Sequence, residues 1–135
     1  MNDKNLASTK NTIHFTPQEV ATAHQKFLMS SFDDAASAEW ISMFDKDAIG
    51  EFPFGTRSGT KTSLEGTGAI LHHIRERVSK IKFDRLYDVT ITAGDDGDGV
   101  VIEFSGDSHF KETGISYNNR FVAAIKLKNG KVIRK

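Results

Sequence analysis

One amphipathic stretch, followed by a long run of strand-like sequence, places the strongest constraint on the fold. It runs from Leu64 to Ile81 and reads LEGTGAILHHIRERVSKI. At about 100° per residue, Ile70, Ile74 and Val78 fall with Ile81 on one apolar stripe, which predicts a helix with a single buried face. We expect that face to pack against a sheet formed by the later residues.

Two adjacent histidines in this helix are expected to differ in environment. His73 lies at the edge of the apolar stripe, whereas His72 projects away from it. A histidine at a cavity wall can serve as a general acid or base, because its reference pKa is about 6.5. It can equally be a packed, hydrogen-bonded residue. His73 is therefore the site candidate of the pair, with both interpretations open.

A capping box predicts where the first helix begins. Thr16 has the N-cap position, a proline follows it, and a glutamate lies three residues after the cap. The helix is expected to run from Pro17 to about Ser31. Residues 1–15 are polar and aperiodic, which predicts a flexible tail whose end can dock on the domain through Ile13 and Phe15. Residues 16–135 fit one domain.

A second, shorter helix is predicted from Ala35 to Phe44, with the pair Asp33-Asp34 as its cap. Trp40 and Phe44 are one turn apart on it. Large aromatic side chains at helical spacing usually fill a core. The alternative is that both form the base of a ligand pocket, and both are kept as substrate-binding candidates.

The next segment, Ala48 to Phe54, is predicted to be an edge strand or a strand end, because Pro53 cannot donate a hydrogen bond to a sheet neighbour. Phe52 and Phe54 are expected to wall a pocket. The polar loop 55–63 that follows is of a kind that often borders a binding site.

The second half of the chain predicts an antiparallel meander of strands. The strands are expected at Lys82–Ala93, Val100–Phe110, Tyr117–Leu127 and from Val132 onward. Asn129-Gly130 is a strong hairpin signal between the last two. Phe83 and Tyr87 share the odd positions of the first strand, and Tyr87 is predicted to contact a ligand.

Composition excludes several classes of function. The 18 basic and 18 acidic residues cancel, so no phosphate backbone or anionic membrane is indicated as a partner. With no cysteine in the chain, disulfides and thiol catalysis are excluded.

The N-terminal residues do not form a signal peptide, and we expect a cytoplasmic protein. Glu76 and Arg77 stand four residues after the two adjacent histidines, so no metal site is predicted.

Several motifs occur in an order that resembles the SnoaL-like branch of the nuclear transport factor 2-like (ketosteroid-isomerase-like) superfamily. By motif, the phenazine-biosynthesis A/B-type proteins are the most similar. The motifs are Trp40-Ile-Ser-Met-Phe44, Glu51-Phe-Pro-Phe54, Leu64-Glu-Gly66, Tyr117-x-Asn119-x-Phe121 and Asn129-Gly130-Lys131-Val132. The resemblance implies an α+β roll in which a cone-shaped, curved antiparallel sheet wraps around N-terminal helices and encloses a pocket.

The resemblance also implies roles for particular residues. The family histidine falls on His73 and the family's pocket tyrosine on Tyr117. Asn119 shares a strand face with Tyr117, so both would contact substrate if that face looks inward. The alternative is that Tyr117 only caps the end of the sheet. An acidic residue of the family would fall about two positions beyond Lys135. The implied activity is cofactor-independent acid–base chemistry, of isomerase, cyclase or condensation type, on a small hydrophobic, cyclic or polyketide-like substrate. A non-catalytic ligand-binding or assembly module is the alternative.

Both faces of the predicted strand after Tyr117 are partly apolar. One face carries Phe121, Ala123 and Ile125, and the other carries Val122 and Ala124. A sheet that is apolar on both faces has to be covered on both faces. With helices on only one side, a partner subunit is the simplest cover, and we expect a homodimer.

Overall fold

Three helices and a mostly antiparallel sheet make up the part of the chain that the structure describes. This structure is a computed structural model, which describes residues 14–30, 32–51, 63–76 and 78–135. The elements in chain order are α1 (Pro17–Met29), α2 (Asp34–Ser42), β1 (Phe44–Glu51), β2 (Ser63–Glu65), α3 (Thr67–Glu76), a 3₁₀ turn (Val78–Lys80), β3 (Ile81–Ala93), β4 (Gly99–Phe110), β5 (Asn119–Lys128) and β6 (Lys131–Arg134). Among these residues, no helix is long and apolar enough to cross a membrane.

The two N-terminal helices begin where their caps predict. The Thr16 hydroxyl accepts a hydrogen bond from the Glu19 N–H at 3.1 Å, and the Glu19 carboxylate accepts one from the Thr16 N–H at 2.9 Å. The Asp33 carboxylate accepts the Ala36 N–H at 2.7 Å. These side chains satisfy N–H groups that have no partner within the first helical turn.

The predicted end of the second helix is wrong. α2 ends at Ser42, and Phe44 is the first residue of β1. The Met43 carbonyl accepts a hydrogen bond from the Val132 N–H at 2.9 Å, and Phe44 pairs in parallel with Val132. A pairing across nearly ninety residues of chain thus overrides the helical spacing of the aromatic residues.

The central helix is shorter than its apolar pattern predicts. Leu64 lies in β2, where it pairs with Gly50, and Gly66 has a φ of +87° that a helix cannot continue. Ile81 starts β3 opposite Phe110. The helical spacing continues past both ends because the flanking strands bury apolar residues against the same core.

The six strands form one curved, unclosed sheet in the order β2-β1-β6-β5-β4-β3. Helix α1 packs on β3 and β4, and α3 packs on β1. The concave face therefore carries the core, which includes the fully buried side chains of Val20, Val100, Ile102 and Val132. This is the α+β arrangement that the sequence predicts.

Two β-bulges in β3 change which side chains face the core. Phe83 pairs with Ser108 and Arg85 with Asp107, so β3 has one extra residue between the pairs. Each extra residue reverses the alternation of faces. Phe83 is therefore buried on the concave face, whereas Tyr87 lies on the convex face. A second register shift follows Tyr87 and restores the original alternation.

The hairpin predicted at Asn129-Gly130 is confirmed, with φ values of +53° and +72°. Its short second strand leaves part of β5 unpaired. β6 pairs with β5 only at Lys126–Lys128. Among the described residues, no strand pairs with Asn119–Ile125 on the side away from β4. The sheet is open along this edge.

Candidate functional site

A cavity lies on the concave side of the sheet, between the helices and strands β3 to β5. Its wall on this side is mainly apolar and includes Leu28, Val78, Ile81, Phe83, Phe104, Phe121 and Ile125. The space continues around the open edge of β5 to Val101, Val122 and Ala124 on the convex face. The joined volume is about 1530 Å³, above the ~300–1,000 Å³ of typical ligand pockets, because both faces contribute.

The predicted contrast between the two adjacent histidines is confirmed by their burial. His73 is half-buried and lines the cavity, whereas His72 is exposed. Ile70 and Ile74 of the same helix are buried. The phase of the apolar stripe thus places the imidazole of His73 at the cavity wall.

Tyr117 also lines the cavity, near its exposed rim. Its N–H donates to the Ser108 carbonyl at 2.7 Å, and its own carbonyl accepts a bond from the Ser108 hydroxyl. The ring lies 5.4 Å from that of Phe110 and 6.3 Å from that of Phe121, measured between centroids. With 37% of its surface exposed, the side chain is anchored but accessible.

Asn119 does not line the cavity. It is exposed, and its side-chain oxygen accepts the Arg120 N–H at 3.0 Å. Tyr87 is likewise directed elsewhere, because the bulges place it on the convex face. There its hydroxyl donates to the Asp107 carboxylate at 3.4 Å, and the Arg85 guanidinium lies over its ring at 4.1 Å. Tyr87 thus lies away from the concave wall of the cavity, and its contact with a ligand stays a prediction.

Trp40 and Phe44 lie in the core behind the cavity wall. They are 2% and 5% exposed, and their ring centroids are 5.0 Å apart in an edge-to-face arrangement. Of the two alternatives for these residues, core packing agrees with their position in the structure. Phe52 and Phe54, the other predicted wall residues, lie outside the residues that the structure describes.

His24 is a polar cavity residue that sequence reasoning missed. It is 3% exposed, and its ring packs edge-on against Trp40 and Phe104 at 5.4 and 5.9 Å between centroids. Its Nδ1 lies 2.7 Å from the Gln25 side-chain oxygen, so Nδ1 carries the proton of the neutral ring. Burial, and secondarily the positive charge of Lys135, lower the pKa of His24 to about 3.

A sequence signal for His24 did exist. It lies four residues after Val20 and four before Leu28, on the apolar face of α1. A histidine at such a position is either packed in the core or at the wall of a cavity.

Lys135 is the second missed residue. Its N–H donates to the Ile49 carbonyl at 2.9 Å, and its carbonyl accepts the Glu51 N–H at 2.7 Å. It lines the cavity, and desolvation there lowers the pKa of its ammonium group.

In the described ranges, no group of three or more His, Asp and Glu residues is placed to hold a metal ion. The absence of metal from the protein stays a prediction.

Comparison with known proteins supports the fold. No family model matches the chain. The uncharacterized protein YesE of Bacillus subtilis is 28% identical over 95 residues, which cover 70% of this chain and 64% of YesE. The chain thus spans less than two thirds of that curated relative.

Solved structures match over most of the chain. A Bacillus subtilis protein provisionally described as an isomerase superposes with a TM-score of 0.75 at 24% identity, covering 87% of this chain and 81% of that one. The nuclear transport factor 2-like fold is confirmed. A provisionally described polyketide cyclase from Pseudomonas putida has a TM-score of 0.71 at 17% identity, covering 89% and 88%. A phenazine biosynthesis-related protein from Pseudomonas aeruginosa has a TM-score of 0.58 at 17% identity, covering 86% and 74%.

Proposed function

We propose that this protein binds a small hydrophobic, cyclic or polyketide-like molecule in the concave cavity and performs cofactor-independent acid–base chemistry on it. The observation that carries the proposal is an apolar cavity in which a few polar groups, His73 and Tyr117 among them, reach the same space. Such a lining binds an apolar ring system and orients its polar substituents. Solved structures of this fold include proteins described as isomerases and polyketide cyclases.

In this proposal, the His73 imidazole transfers a proton and the Tyr117 hydroxyl hydrogen-bonds the oxygen of the substrate. An imidazole suits proton transfer near neutral pH, and a phenol can donate to an oxygen that gains negative charge. The reaction class is enolisation next to a carbonyl, which is the first step of isomerisation, cyclisation and condensation alike.

The test measures binding and turnover separately. β-Tetralone, a bicyclic ketone, would be incubated with the protein in deuterium oxide while NMR follows loss of the protons next to its carbonyl. Exchange above the protein-free rate supports the enzyme. Binding without exchange would instead support a ligand-binding module, and failure to bind any hydrophobic cyclic ketone would contradict both.

A matched pair of variants tests the histidine. His73→Ala should weaken β-tetralone binding by about 1 kcal/mol or more and reduce exchange, because a polar contact at the cavity wall is lost. His72→Ala is the control, since this neighbour is exposed on the same helix. It should stay within about 0.5 kcal/mol of the parent in both binding and folding. Equal effects of the two substitutions would contradict the role of His73.

We also propose that the protein is a homodimer formed through the convex face of the sheet. Val122 is 66% exposed and Val101 37% exposed on this face, and Ala124 is exposed beside them. Val101 pairs with Ala124 on the neighbouring strand, and a contiguous exposed apolar patch is typical of an interaction surface. The cytoplasmic location stays a prediction.

A further inference from the structure

Lys135 lies at the wall of the same cavity. Its position matters because the uncharged form of an amine reacts with carbonyl groups. β5 and β6 are antiparallel with Lys126 opposite Arg134, and both of these residues are exposed. Lys135 directly follows β6, and its backbone is hydrogen-bonded to Ile49 and Glu51 of β1. Lys135 lines the cavity together with the apolar residues Ile125 and Phe104, which are 3% and 2% exposed.

The surroundings of Lys135 offer little to stabilise a positive charge. Among the described residues, no carboxylate side chain forms an ion pair with it. Three carboxylates that the structure describes line the same cavity: Glu51 is paired with Arg134 at 3.3 Å, Asp98 shares a hydrogen bond with Asp96, and Glu76 forms no ion pair with Lys135. An ammonium group in an apolar environment without a counter-ion favours loss of its proton. Desolvation accordingly lowers the pKa of Lys135.

We propose that the Lys135 amine is a covalent binding site for aldehydes and ketones in this cavity. The inference rests on the proposed function, because it assigns a carbonyl group to the hydrophobic ligand. An apolar pocket that lowers the pKa of a lysine increases the unprotonated fraction of its amine, and the unprotonated amine is a nucleophile toward carbonyl carbon. The neighbouring His24 is neutral, so it adds no second positive charge that would repel an iminium ion.

The reaction balances without any further reagent. The amine nitrogen forms a bond to the carbonyl carbon while the π electrons of the C=O bond move to oxygen. Transfer of a proton from nitrogen to oxygen gives a carbinolamine. The hydroxyl group then takes up one proton and leaves as water, and the nitrogen lone pair forms the C=N bond. Amine, carbonyl compound and one proton thus become an iminium ion and water.

Reductive trapping tests this directly. The protein would be incubated near neutral pH with cinnamaldehyde and sodium cyanoborohydride, which reduces an iminium ion to a stable secondary amine. Intact mass and peptide mapping then give the modified lysine. We expect Lys135 to be labelled at least tenfold faster than the exposed Lys128 of the same hairpin. Labelling of Lys135 no faster than Lys128 would overturn the proposal.

Three variants and a binding control complete the test. Lys135→Met should remove the rapid labelling, whereas Lys128→Met should leave it unchanged. Lys135→Arg keeps a long cationic side chain, and should also abolish it if Lys135→Met does not fold. Cinnamyl alcohol, which cannot form an iminium ion, separates the two proposals. If the alcohol binds but the aldehyde is not trapped, the Lys135 site is wrong while the proposed function stands. If neither ligand interacts, both are wrong.

Discussion

His24 shows how one buried side chain can link the core to the cavity. Its imidazole packs between Trp40 and Phe104 and is held by Gln25 through Nδ1. The neutral ring fits this apolar setting, whereas the protonated ring would bring an uncompensated charge into it. The residue therefore couples protonation to the stability of the fold.

This coupling predicts a pH-dependent stability. The pKa of His24 is lowered to about 3 in the folded protein, against about 6.5 when it is unfolded. Below about pH 6.5 the unfolded chain binds a proton that the folded chain does not, so folding stability falls as the pH drops toward 3. Between about pH 7 and pH 5 the loss from this residue is about 2 kcal/mol.

Urea unfolding at both pH values measures this loss. His24→Phe keeps an aromatic ring between Trp40 and Phe104 but cannot take up a proton, so it should reduce the difference between the two pH values by about 2 kcal/mol. His72→Phe, at the exposed neighbour of His73, serves as the control and should leave the difference unchanged. If His24→Phe also leaves it unchanged, His24 is not the buried titrating group.

At the scale of elements, the bulges of β3 decide which side chains can meet a ligand. Phe83 lies on the concave face and Tyr87 on the convex face, although both occupy odd positions of one strand. Tyr87→Phe removes only a 3.4 Å hydrogen bond on the convex face, so the affinity for β-tetralone should change by less than about 0.5 kcal/mol. Isothermal titration calorimetry provides the measurement.

Phe121→Ala is the contrasting variant for that experiment, because Phe121 lines the cavity. It should weaken ligand binding at least tenfold, equivalent to about 1.4 kcal/mol. A loss of affinity in Tyr87→Phe similar to that in Phe121→Ala would show that the faces of β3 are assigned wrongly.

The β5–β6 hairpin also holds the residues just before α1. The Phe15 N–H donates to the Gly130 carbonyl at 2.9 Å, and the Lys131 ammonium lies 5.4 Å from the centre of the Phe15 ring. A Cβ atom on Gly130 would lie 2.3 Å from the His14 Cα. Gly130→Ala therefore requires both a strained φ and a displaced N-terminal segment.

Two glycine variants separate these costs. Gly97 also has a positive φ, +78°, but a Cβ there would meet no atom within 4 Å. Gly97→Ala should cost about 1–2 kcal/mol of stability from backbone strain alone. Gly130→Ala should cost at least about 1 kcal/mol more in urea unfolding. Equal costs would show that the hairpin does not hold residues 14 and 15 in solution.

At the scale of the whole molecule, the convex face predicts the oligomeric state. The chain mass is 15.0 kDa, so light scattering should give twice this value for the parent protein. Val122→Glu places a charge in the apolar patch and should yield monomers at micromolar concentration, because burial of an unpaired charge is costly. Met29→Glu is the control: Met29 is also exposed, at 44%, but lies on α1. A parent protein of about 15 kDa would contradict the dimer.

The sequence by itself determined the features that depend on neighbouring residues. The capping box at Thr16, the Asn129-Gly130 hairpin and the contrast between His72 and His73 each follow from local spacing, since a cap, a turn and a helical phase involve only a few adjacent residues. The order of elements, together with the motifs, was enough to predict the fold.

The tertiary structure alone decided the features that depend on pairing between distant strands. Phe44 joins a strand because Val132 is beside it, and Tyr87 leaves the concave face because β3 carries extra residues opposite β4. Lys135 lies at the cavity because its backbone is hydrogen-bonded to Ile49 and Glu51 of β1, which are remote in sequence. Periodicity along one strand cannot report a bulge or a register, because both are set by the hydrogen bonds of a partner that is remote in sequence.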